Sequence, residues 1–398
     1  MLINLEKNRR DWQRRFITTI FNKANNKEKS FIKMAFENLE LLNSKNTVLP
    51  PYLFKYYSPT SENILDIQNQ KVWLSNPKSF NDPFDCKIGY DNEKFDKNML
   101  LQFISENGCV EEENKLNGFT VEEKWRIYNS RLGMSFGYFS KKEEYFIAKH
   151  LILNSKSEKF RGAVYDFLNE KESELDTKIS KLRDVDIRVA CFSEFDKYDE
   201  FFKQIVMWSH YADNHKGFCV EYDLELLKKD IQFSLEDYQF YYKKSEYLLE
   251  KNIALIKAGL FPVEYTCNRI NIPITKLKKL EFDSQGNQGN NCNINELIYK
   301  TFIVKSANWN YEKEWRLIVD GKISNFYDNK LPFPYAKRIY LGCKANTELI
   351  DTLIEIGKKI GVEVVLLKLD SKKFILEESR ITDYNFMREY NQSRNPFE

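Results

Sequence analysis

The strongest pattern in this chain lies near its C-terminal end. Two apolar segments, RIYLGC (338–343) and VEVVLLKL (362–369), have the composition of β-strands. Between them, four apolar residues recur at helical spacing: Leu349, Leu353, Ile356 and Ile360. A helix of this kind must bury its apolar face against another layer, so the pattern predicts a strand, a helix and a strand packed as part of a sheet.

Composition limits the class of protein further. The chain has 398 residues, of which 42% are hydrophobic and 15% aromatic, enough to bury a core and to argue against a disordered or fibrous protein. It carries 61 basic and 59 acidic residues, so it lacks the globally basic surface of a dedicated nucleic-acid binder, although local basic patches are possible. We find no apolar run of the length that a membrane span or a signal peptide needs, which predicts a cytoplasmic protein without membrane contact.

Histidine and cysteine argue against a metal site. The seven cysteines are scattered and never form a C-x-x-C pair, so neither a zinc site nor a disulfide framework is predicted. Two of the three histidines, His210 and His215, lie five residues apart. On one continuous helix they would point about 140° apart, a poor arrangement for binding one metal ion.

The N-terminal segment is basic. Residues 1–35 contain nine basic and three acidic residues. Apolar residues at helical spacing predict two amphipathic helices: Trp12, Phe16 and Ile20 in the first, and Phe31, Met34, Ala35, Leu39 and Leu42 in the second. We interpret residues 1–49 as a helical segment with a solvated basic face, and contact with nucleic acid stays open as the alternative.

Residues 50–380 are predicted to form the main domain, followed by a tail at 381–398. Its first unit is a strand at 53–58, a helix at 62–70 and a strand at 71–76, followed by a turn at 77–86. Later strands are expected at 187–194, 218–223 and within 308–319. A helix is expected to begin at residue 204 and to lead through Gly217 into the strand at 218–223. The charged segments 91–188 and 224–300 are predicted to be helical insertions.

Four short segments carry polar residues whose types do not fit simple packing. These are FKYYS with Lys55 and Tyr56 on opposite strand faces; WLSNPKSFNDPFD with Trp73, Ser75, Phe80, Asn81, Asp82 and Asp85; WSHYADNHKG with His210, Tyr211 and His215; and YEKEWR with Glu312, Glu314 and Arg316. If YEKEWR is extended, Glu312 and Glu314 share a strand face. Each segment also has a structural explanation. Asp82 and Asp85 are able to cap a turn, and Glu314 and Arg316 to form a weak ion pair on a strand face. Trp208, Trp309 and Trp315 are interpreted as core residues.

The same blocks resemble a bacterial family known only as a domain of unknown function. The resemblance rests on FKYYSPTSENILDIQNQKVWLSNPKSFNDPFDC, CFSE, MWSHYADNHKGFCVEYD and YEKEWRL, in that order. It covers the scaffold from about Leu53 to about Leu369, apart from the insertions.

The order of the blocks also resembles the layout of ADP-ribosyltransferases, which use NAD as a substrate. That resemblance implies an α+β fold with a mixed sheet core. It also implies that Lys55 or Tyr56 grips the cofactor and that Ser75, with Trp73 or Phe80, supports the nicotinamide ribose. Glu314 would hold the ribose with Glu312 beside it. The remaining polar residues of the blocks are assigned to cofactor binding: Asn81, Asp82, His210, Tyr211, His215 and Arg316.

The chemistry of that reaction agrees with these residue types. Breaking the bond between nicotinamide and ribose leaves a carbon with oxocarbenium character, which the carboxylate of Glu314 would stabilise. A fixed cation, from Arg316, Lys55, Lys78 or Lys216, would offset the pyrophosphate charge. Glu312 would orient or deprotonate the acceptor.

The leading hypothesis is therefore an ADP-ribosyltransferase-like toxin or phage-defence effector that transfers ADP-ribose to a macromolecule or hydrolyses NAD. Its acceptor would be a protein or a nucleic acid, and the insertions would recognise the target, an antitoxin or a regulator. A second hypothesis is a metal-dependent nuclease that uses Asp82, Asp85, Glu314 and a histidine. A third is a non-enzymatic sensor or scaffold, in which the four segments lie far apart.

Overall fold

The structure is a computed structural model that describes residues 11–19, 39–87, 89–90, 158–184, 187–195, 201–228, 249–272 and 299–379. The chain divides into two units. The first consists of Met1–Lys87, Asp184–Arg269 and Tyr299–Glu398, and the second of Ile88–Arg183 and Ile270–Ile298. The predicted tail at 381–398 and residues 91–157 of the first predicted insertion lie outside the described residues.

An eight-stranded mixed sheet dominates the first unit, which confirms the predicted α+β class. The described strands are β1 Tyr52–Tyr57, β2 Lys71–Trp73, β3 Gly89–Tyr90, β4 Ile187–Ser193, β5 Phe218–Asp223, β6 Leu260–Pro262, β7 Glu264–Thr266, β8 Asn271–Ile272, β9 Val304–Ser306, β10 Glu314–Asp320, β11 Lys330–Pro332, β12 Ala336–Leu341, β13 Glu363–Leu369 and β14 Leu376–Ser379. Their order in the main sheet is β14-β13-β12-β5-β1-β4-β10-β6. All neighbours are antiparallel except β12 and β13, which are parallel. Small two-stranded sheets join β2 to β11 and β7 to β9 in the first unit, and β3 to β8 in the second.

Helices surround this sheet or lie in the second unit. Residues 11–19 form α1, and the later α-helices are α2 Leu39–Asn43, α3 Ser61–Gln68, α4 Glu158–Asp184, α5 Ile205–Tyr211, α6 Leu249–Gly259, α7 Gly321–Phe326 and α8 Thr347–Ile360. Short 3₁₀ helices occur at Ser44–Thr47, Pro77–Ser79, Glu225–Lys228 and Ala307–Glu312. Within the described ranges, none of these helices has the length and apolar character to cross a membrane.

The C-terminal strand, helix and strand lie where the sequence predicts them. The side chain of Asn346 accepts a hydrogen bond from the Leu349 N–H at 2.9 Å and so caps the start of α8. Gly361, with φ of 72°, ends the helix in the left-handed conformation that glycine adopts without steric cost. Leu353 and Ile356 of α8 are buried. The helical spacing in the sequence therefore identified the face of α8 that packs.

The register of the central strands separates the two faces of the sheet. Phe54 of β1 lies opposite Ser193 of β4, and Ser193 lies opposite Glu314 of β10, so these three side chains share a face. Tyr56 follows Phe54 on that face, while Lys55 points to the other. The aromatic cluster that contains Phe54, Tyr56, Phe201 and Trp208 covers the Glu314 face. Strand alternation thus places Tyr56 and Glu314 on one face of the sheet and Lys55 on the other.

Two segments differ from the sequence-based expectation. Residues 260–266, inside the insertion predicted to be helical, form β6 and β7, and β6 pairs with β10 at the sheet edge. The apolar run before them belongs to α6, and helical spacing alone does not show where such a helix ends. Glu312 and Glu314 do not share a strand face, because Glu312 ends a 3₁₀ helix and Lys313 has φ of 45°.

The described part of the N-terminal segment packs on the sheet edge. Lys45 is fully buried and donates hydrogen bonds to the carbonyls of Ala258 and Leu260, both at 2.9 Å, at the C-terminal end of α6. Its ammonium lies 3.5 Å from the ring centroid of Phe261, and burial lowers its pKa well below the ordinary value. One basic residue of this segment is therefore internal. The second predicted helix is described only from residue 39 onward.

We expect Gly217→Ala to destabilise the protein by about 1–3 kcal/mol, because an added Cβ would lie 2.1 Å from the Tyr57 carbonyl oxygen and force the backbone to move. Gly162→Ala is the matched control, since a Cβ there meets no atom within 4 Å. In the interior of α4 that substitution should stabilise by roughly 0.5–1 kcal/mol. Urea unfolding of both variants measures the difference, and equal stability of the two variants would contradict the packing described for Gly217.

Candidate functional site

A buried ion-pair cluster lies at the start of β10. It contains five side chains from four parts of the chain: Asp85, Lys305, Glu312, Glu314 and Arg316. Asp85 comes from the loop after the 3₁₀ helix Pro77–Ser79, Lys305 from β9, and Glu312 from the 3₁₀ helix that precedes β10. Each of the five is at least nine-tenths buried. We call this group the ion cluster.

Arg316 is the centre of the ion cluster and is 0% exposed. Its two terminal nitrogens donate to the two oxygens of Asp85 at 2.8 and 2.6 Å. Its Nε donates to Glu314 Oε1 at 2.7 Å, and Nη2 donates to Glu314 Oε2 at 3.0 Å. A further hydrogen bond runs from Nη1 to the Phe302 carbonyl at 2.9 Å. The planar guanidinium therefore joins the FNDPFD loop to β10 through two bidentate contacts.

Lys305 is the second cation of the ion cluster. Its Nζ lies 2.5 Å from Glu312 Oε2, 3.1 Å from Glu314 Oε2 and 3.6 Å from Asp85 Oδ2. The cluster thus holds three carboxylates against two cations. With every group ionised, it carries one excess negative charge inside the protein.

The two glutamates respond to this environment in opposite directions. Burial raises the pKa of Glu314, but the charges of Arg316 and Lys305 outweigh it and lower the pKa to about 2. Burial also raises the pKa of Glu312, and there the attraction of Lys305 is too weak to reverse the shift. Glu314 is therefore a fixed anion, and Glu312 is the member of the pair that more readily takes up a proton.

Four half-buried or exposed rings surround the Glu312 side of the cluster: His210, Tyr211, Trp309 and Tyr311. The Tyr211 hydroxyl donates to Glu312 Oε1 at 2.5 Å, and the Tyr311 hydroxyl lies 3.2 Å from His210 Nδ1. The Trp309 centroid lies 6.0 Å from that of Tyr311 and 5.0 Å from Lys305 Nζ. We call these four rings the aromatic rim. It places flat, partly solvated surfaces beside Glu312, the glutamate whose pKa is raised.

A second polar group lies in the WSHYADNHKG block, on the same face of the sheet. Trp208 is fully buried, and its ring contacts Tyr56 edge-on at 5.3 Å and His215 in parallel at 6.3 Å between centroids. Within the described ranges, the Tyr56 hydroxyl, Trp208 Nε1 and His215 Nδ1 are buried atoms without a hydrogen-bond partner. Each such atom costs about 1–3 kcal/mol when left unpaired, so three together are unusual.

The turn after α5 holds His215 in a strained backbone conformation. Asp213, Asn214 and His215 have φ values of 46°, 53° and 71°, three left-handed residues in succession. The His215 carbonyl accepts a hydrogen bond from the Lys344 N–H at 3.0 Å. It also lies where a Cβ on residue 342 would stand, which only Gly342 permits. Since α5 ends at Tyr211, His215 is not on a continuous helix with His210.

Three further predicted site residues, Phe80, Asn81 and Asp82, lie in the loop that carries Asp85. Phe80 lies over the Arg316 guanidinium at 5.4 Å, and Asn81 interacts with the Tyr211 hydroxyl. Asp82 accepts a hydrogen bond from the Phe84 N–H at 2.8 Å, which is the turn-capping role that its position beside Pro83 allows.

Three predicted residues of the first two blocks lie away from the ion cluster. Ser75 pairs with Val189, four residues along β4 from the partner of Glu314. Trp73 is 43% exposed and pairs with Lys330. Lys55 points to the opposite sheet face and donates to the Cys191 carbonyl at 3.1 Å.

The sequence did not single out Lys305 or Tyr311, and it named Trp309 only as a core residue. Lys305 follows the apolar run FIV at 302–304. A charged residue that continues an apolar run needs a partner when it is buried, and this is the one sequence signal that points to Lys305. Its partners lie seven and nine residues away, across a 3₁₀ turn that simple strand spacing does not predict.

We expect Glu314→Gln to destabilise the protein by about 3 kcal/mol at neutral pH, because glutamine mimics the protonated form that Arg316 and Lys305 disfavour. Glu312→Gln should cost less, since burial raises the pKa of Glu312 whereas the pKa of Glu314 is lowered. Urea unfolding at pH 7 compares the two variants. Equal losses for both substitutions would show that the two carboxylates are not differently held.

The contribution of Glu314 should also depend on pH. Because its folded pKa of about 2 lies below the unfolded value of about 4.3, its stabilisation is complete above pH 4.3 and declines as the pH falls toward 2. The difference in unfolding free energy between the wild type and Glu314→Gln should therefore be constant from about pH 5 to 7 and shrink below about pH 4. A difference that stays constant down to pH 3 would contradict the depressed pKa.

Comparison with known proteins gives one match. A family model described as protein of unknown function (DUF2971) matches residues 207–317, which run from α5 into β10 and contain the WSHYADNHKG and YEKEWR blocks. No curated protein and no solved structure matches the chain. This match is consistent with the predicted resemblance to a domain-of-unknown-function family, over a shorter range than the predicted 53–369.

Proposed function

We propose that this chain is an ADP-ribosyltransferase-like enzyme that breaks the bond between nicotinamide and ribose in NAD. One observation carries the proposal: Glu312, with its raised pKa, lies under the half-exposed aromatic rim while Glu314 beside it stays ionised. Two neighbouring carboxylates with pKa values pushed apart are the arrangement that glycosyl transfer uses. The choice of NAD rests on the resemblance of the sequence blocks.

The geometry favours Glu312 rather than Glu314 as the carboxylate that faces the substrate. Both residues are buried, but both oxygens of Glu314 are bonded to the cations Arg316 and Lys305, whereas Glu312 bonds one cation, Lys305. Glu312 contacts the rim directly through the Tyr211 hydroxyl. Glu314 then acts as a positioning residue that fixes Lys305, and Lys305 in turn fixes Glu312.

The proposed reaction proceeds at the ribose carbon that carries nicotinamide. The carbon–nitrogen bond breaks, both electrons leave with nicotinamide, and an oxygen or nitrogen of the acceptor forms the new bond. The ionised form of Glu312 stabilises the positive charge on that carbon and accepts the proton that the acceptor loses. The excess negative charge of the ion cluster favours the same oxocarbenium-like state.

The aromatic rim fits the flat rings of NAD, which stack on aromatic side chains. Arg316 and Lys305 are engaged in the ion cluster, so the pyrophosphate requires other cations. Lys78, on the 3₁₀ helix Pro77–Ser79, and Lys216, beside His215, are exposed residues of the same blocks. We assign the pyrophosphate to these two lysines.

A nuclease is the less favoured proposal, because its ligands are already engaged. Asp85 and Glu314 are bonded to Arg316, and Asp82 caps its own turn. The described residues contain no group of three carboxylate, histidine or cysteine side chains arranged to hold a metal ion. A role as a toxin or phage-defence effector, with a protein or nucleic-acid acceptor, belongs to the transferase proposal.

Incubation with NAD tests the proposal. We expect the wild type to release nicotinamide and Glu312→Gln to release it at least about 100-fold more slowly, because a positioned acid or base contributes about 100-fold or more. Release is measured by chromatography, with and without added protein and RNA as acceptors. Saturation-transfer NMR with NAD reports binding independently of turnover.

Glu225→Gln is the matched control, since Glu225 is exposed and pairs with Lys228 on a separate 3₁₀ helix. It should match the wild type in both assays. Absence of NAD binding and of nicotinamide release in the wild type, under all acceptor conditions, would refute the proposal.

A further inference from the structure

Three buried polar atoms without partners lie together in the aromatic cluster under α5. They are the hydroxyl of Tyr56, Nε1 of Trp208 and Nδ1 of His215, and their residues are 8%, 0% and 8% exposed. The three rings contact one another in sequence, Tyr56 to Trp208 to His215. Buried polar groups nearly always have a partner. These atoms therefore offer three unused hydrogen-bonding positions to a bound molecule.

The hydrogen bonds of Ser209 fix what His215 offers to such a molecule. The Ser209 hydroxyl donates to the Ile205 carbonyl at 3.0 Å, so its oxygen accepts from His215 Nε2 at 3.3 Å. The proton of the neutral ring is then on Nε2, and Nδ1 is a bare acceptor. Burial and the charge of Lys344 lower the pKa of His215, which favours this neutral form. Trp208 Nε1 is a donor only, and the Tyr56 hydroxyl serves as either.

The backbone conformation around His215 fixes the position of this residue. Three successive left-handed residues, Asp213 to His215, are costly for residues other than glycine. The Lys344 N–H and the space left by Gly342 fix the carbonyl of His215. Strain of this kind, beside unpaired polar atoms, marks a functional position. The exposed neighbours Asn214 and Lys216 place His215 at the end of the trio nearest the solvent.

We propose that Tyr56, Trp208 and His215 form a binding site for a primary carboxamide. A carboxamide presents an acceptor oxygen to the Trp208 donor and an N–H to the His215 acceptor. The Tyr56 hydroxyl, which donates or accepts, pairs with a remaining hydrogen-bonding group of the amide. Under the proposed function, which supplies this choice of ligand, the carboxamide is that of nicotinamide, released one helical turn from Tyr211 and its contact with Glu312.

Binding of free nicotinamide tests this site without requiring turnover. Isothermal titration calorimetry with the full chain should give at least tenfold weaker binding for Tyr56→Phe and for Trp208→Phe than for the wild type. The wild type should bind 3-acetylpyridine, which lacks the amide N–H, at least tenfold more weakly than nicotinamide. Because the Tyr56 hydroxyl is unpaired among the described residues, Tyr56→Phe should leave the midpoint of urea unfolding unchanged or raised.

Tyr57→Phe is the matched control on the same strand. It removes a hydroxyl that is bonded to the Tyr222 hydroxyl at 2.8 Å on the opposite sheet face, so it should lower the unfolding midpoint without changing nicotinamide affinity. No nicotinamide binding by the wild type would overturn the inference, and so would equal affinity in the wild type, Tyr56→Phe and Trp208→Phe. If nicotinamide binding depends on Tyr56 and Trp208 but NAD is not cleaved, the proposed function is refuted and this site is supported. If NAD is cleaved but nicotinamide binding does not depend on these residues, this site is refuted and the proposed function is supported.

Discussion

The buried guanidinium of Arg316 is the interaction on which the rest of the site depends. A charge taken out of water is expensive unless its hydrogen-bonding groups are all satisfied, and Arg316 meets this requirement with Asp85, Glu314 and the Phe302 carbonyl. Those partners come from the FNDPFD loop, the first residue of β10 and the segment before β9. The buried Arg316 therefore holds these three parts of the chain together.

The same requirement explains why the neighbouring carboxylates behave differently. Glu314 bonds both Arg316 and Lys305, whereas Glu312 bonds one cation, Lys305, which also lies near Glu314 and Asp85. The two cations lower the pKa of Glu314, while burial keeps the pKa of Glu312 above its ordinary value. Glu312 lies at the side of the cluster where Tyr211 and the aromatic rim begin.

The sequence predicted the elements well and the site only in part. Apolar spacing identified α8 and its flanking strands, because one layer of burial decides that pattern. It also identified the polar blocks that contain Arg316, Glu312 and Tyr211. It did not predict that a Glu314 to Arg316 contact, read as a weak pair on a strand face, would be buried and joined to Asp85. Burial of charge depends on a loop 231 residues away in the chain.

Lys305 and β6 show why the other parts of the site and fold could not be predicted from the sequence. The importance of Lys305 follows from a 3₁₀ turn and the left-handed Lys313, which bring Glu312 and Glu314 to one ammonium although they do not share a strand face. β6 is defined by pairing with β10, a tertiary contact that overrides the helical appearance of the apolar run before it. The partner of β6 is distant in sequence, and the nearby partners of Lys305 are brought to it by a turn, so strand or helix spacing predicts neither.

α5 connects the two polar sites on the Glu314 face of the sheet. Trp208 and Tyr211 lie three residues apart, so both face the sheet side of one short helix. Tyr211 reaches Glu312, while Trp208 contacts Tyr56 and His215. A shift of α5 would therefore move a contact of Glu312 and the unpaired indole together. The strained turn from Asp213 to His215, fixed by Gly342 and Lys344, follows the C-terminal end of this helix and helps to set the spacing between Glu312 and the buried polar atoms of Tyr56, Trp208 and His215.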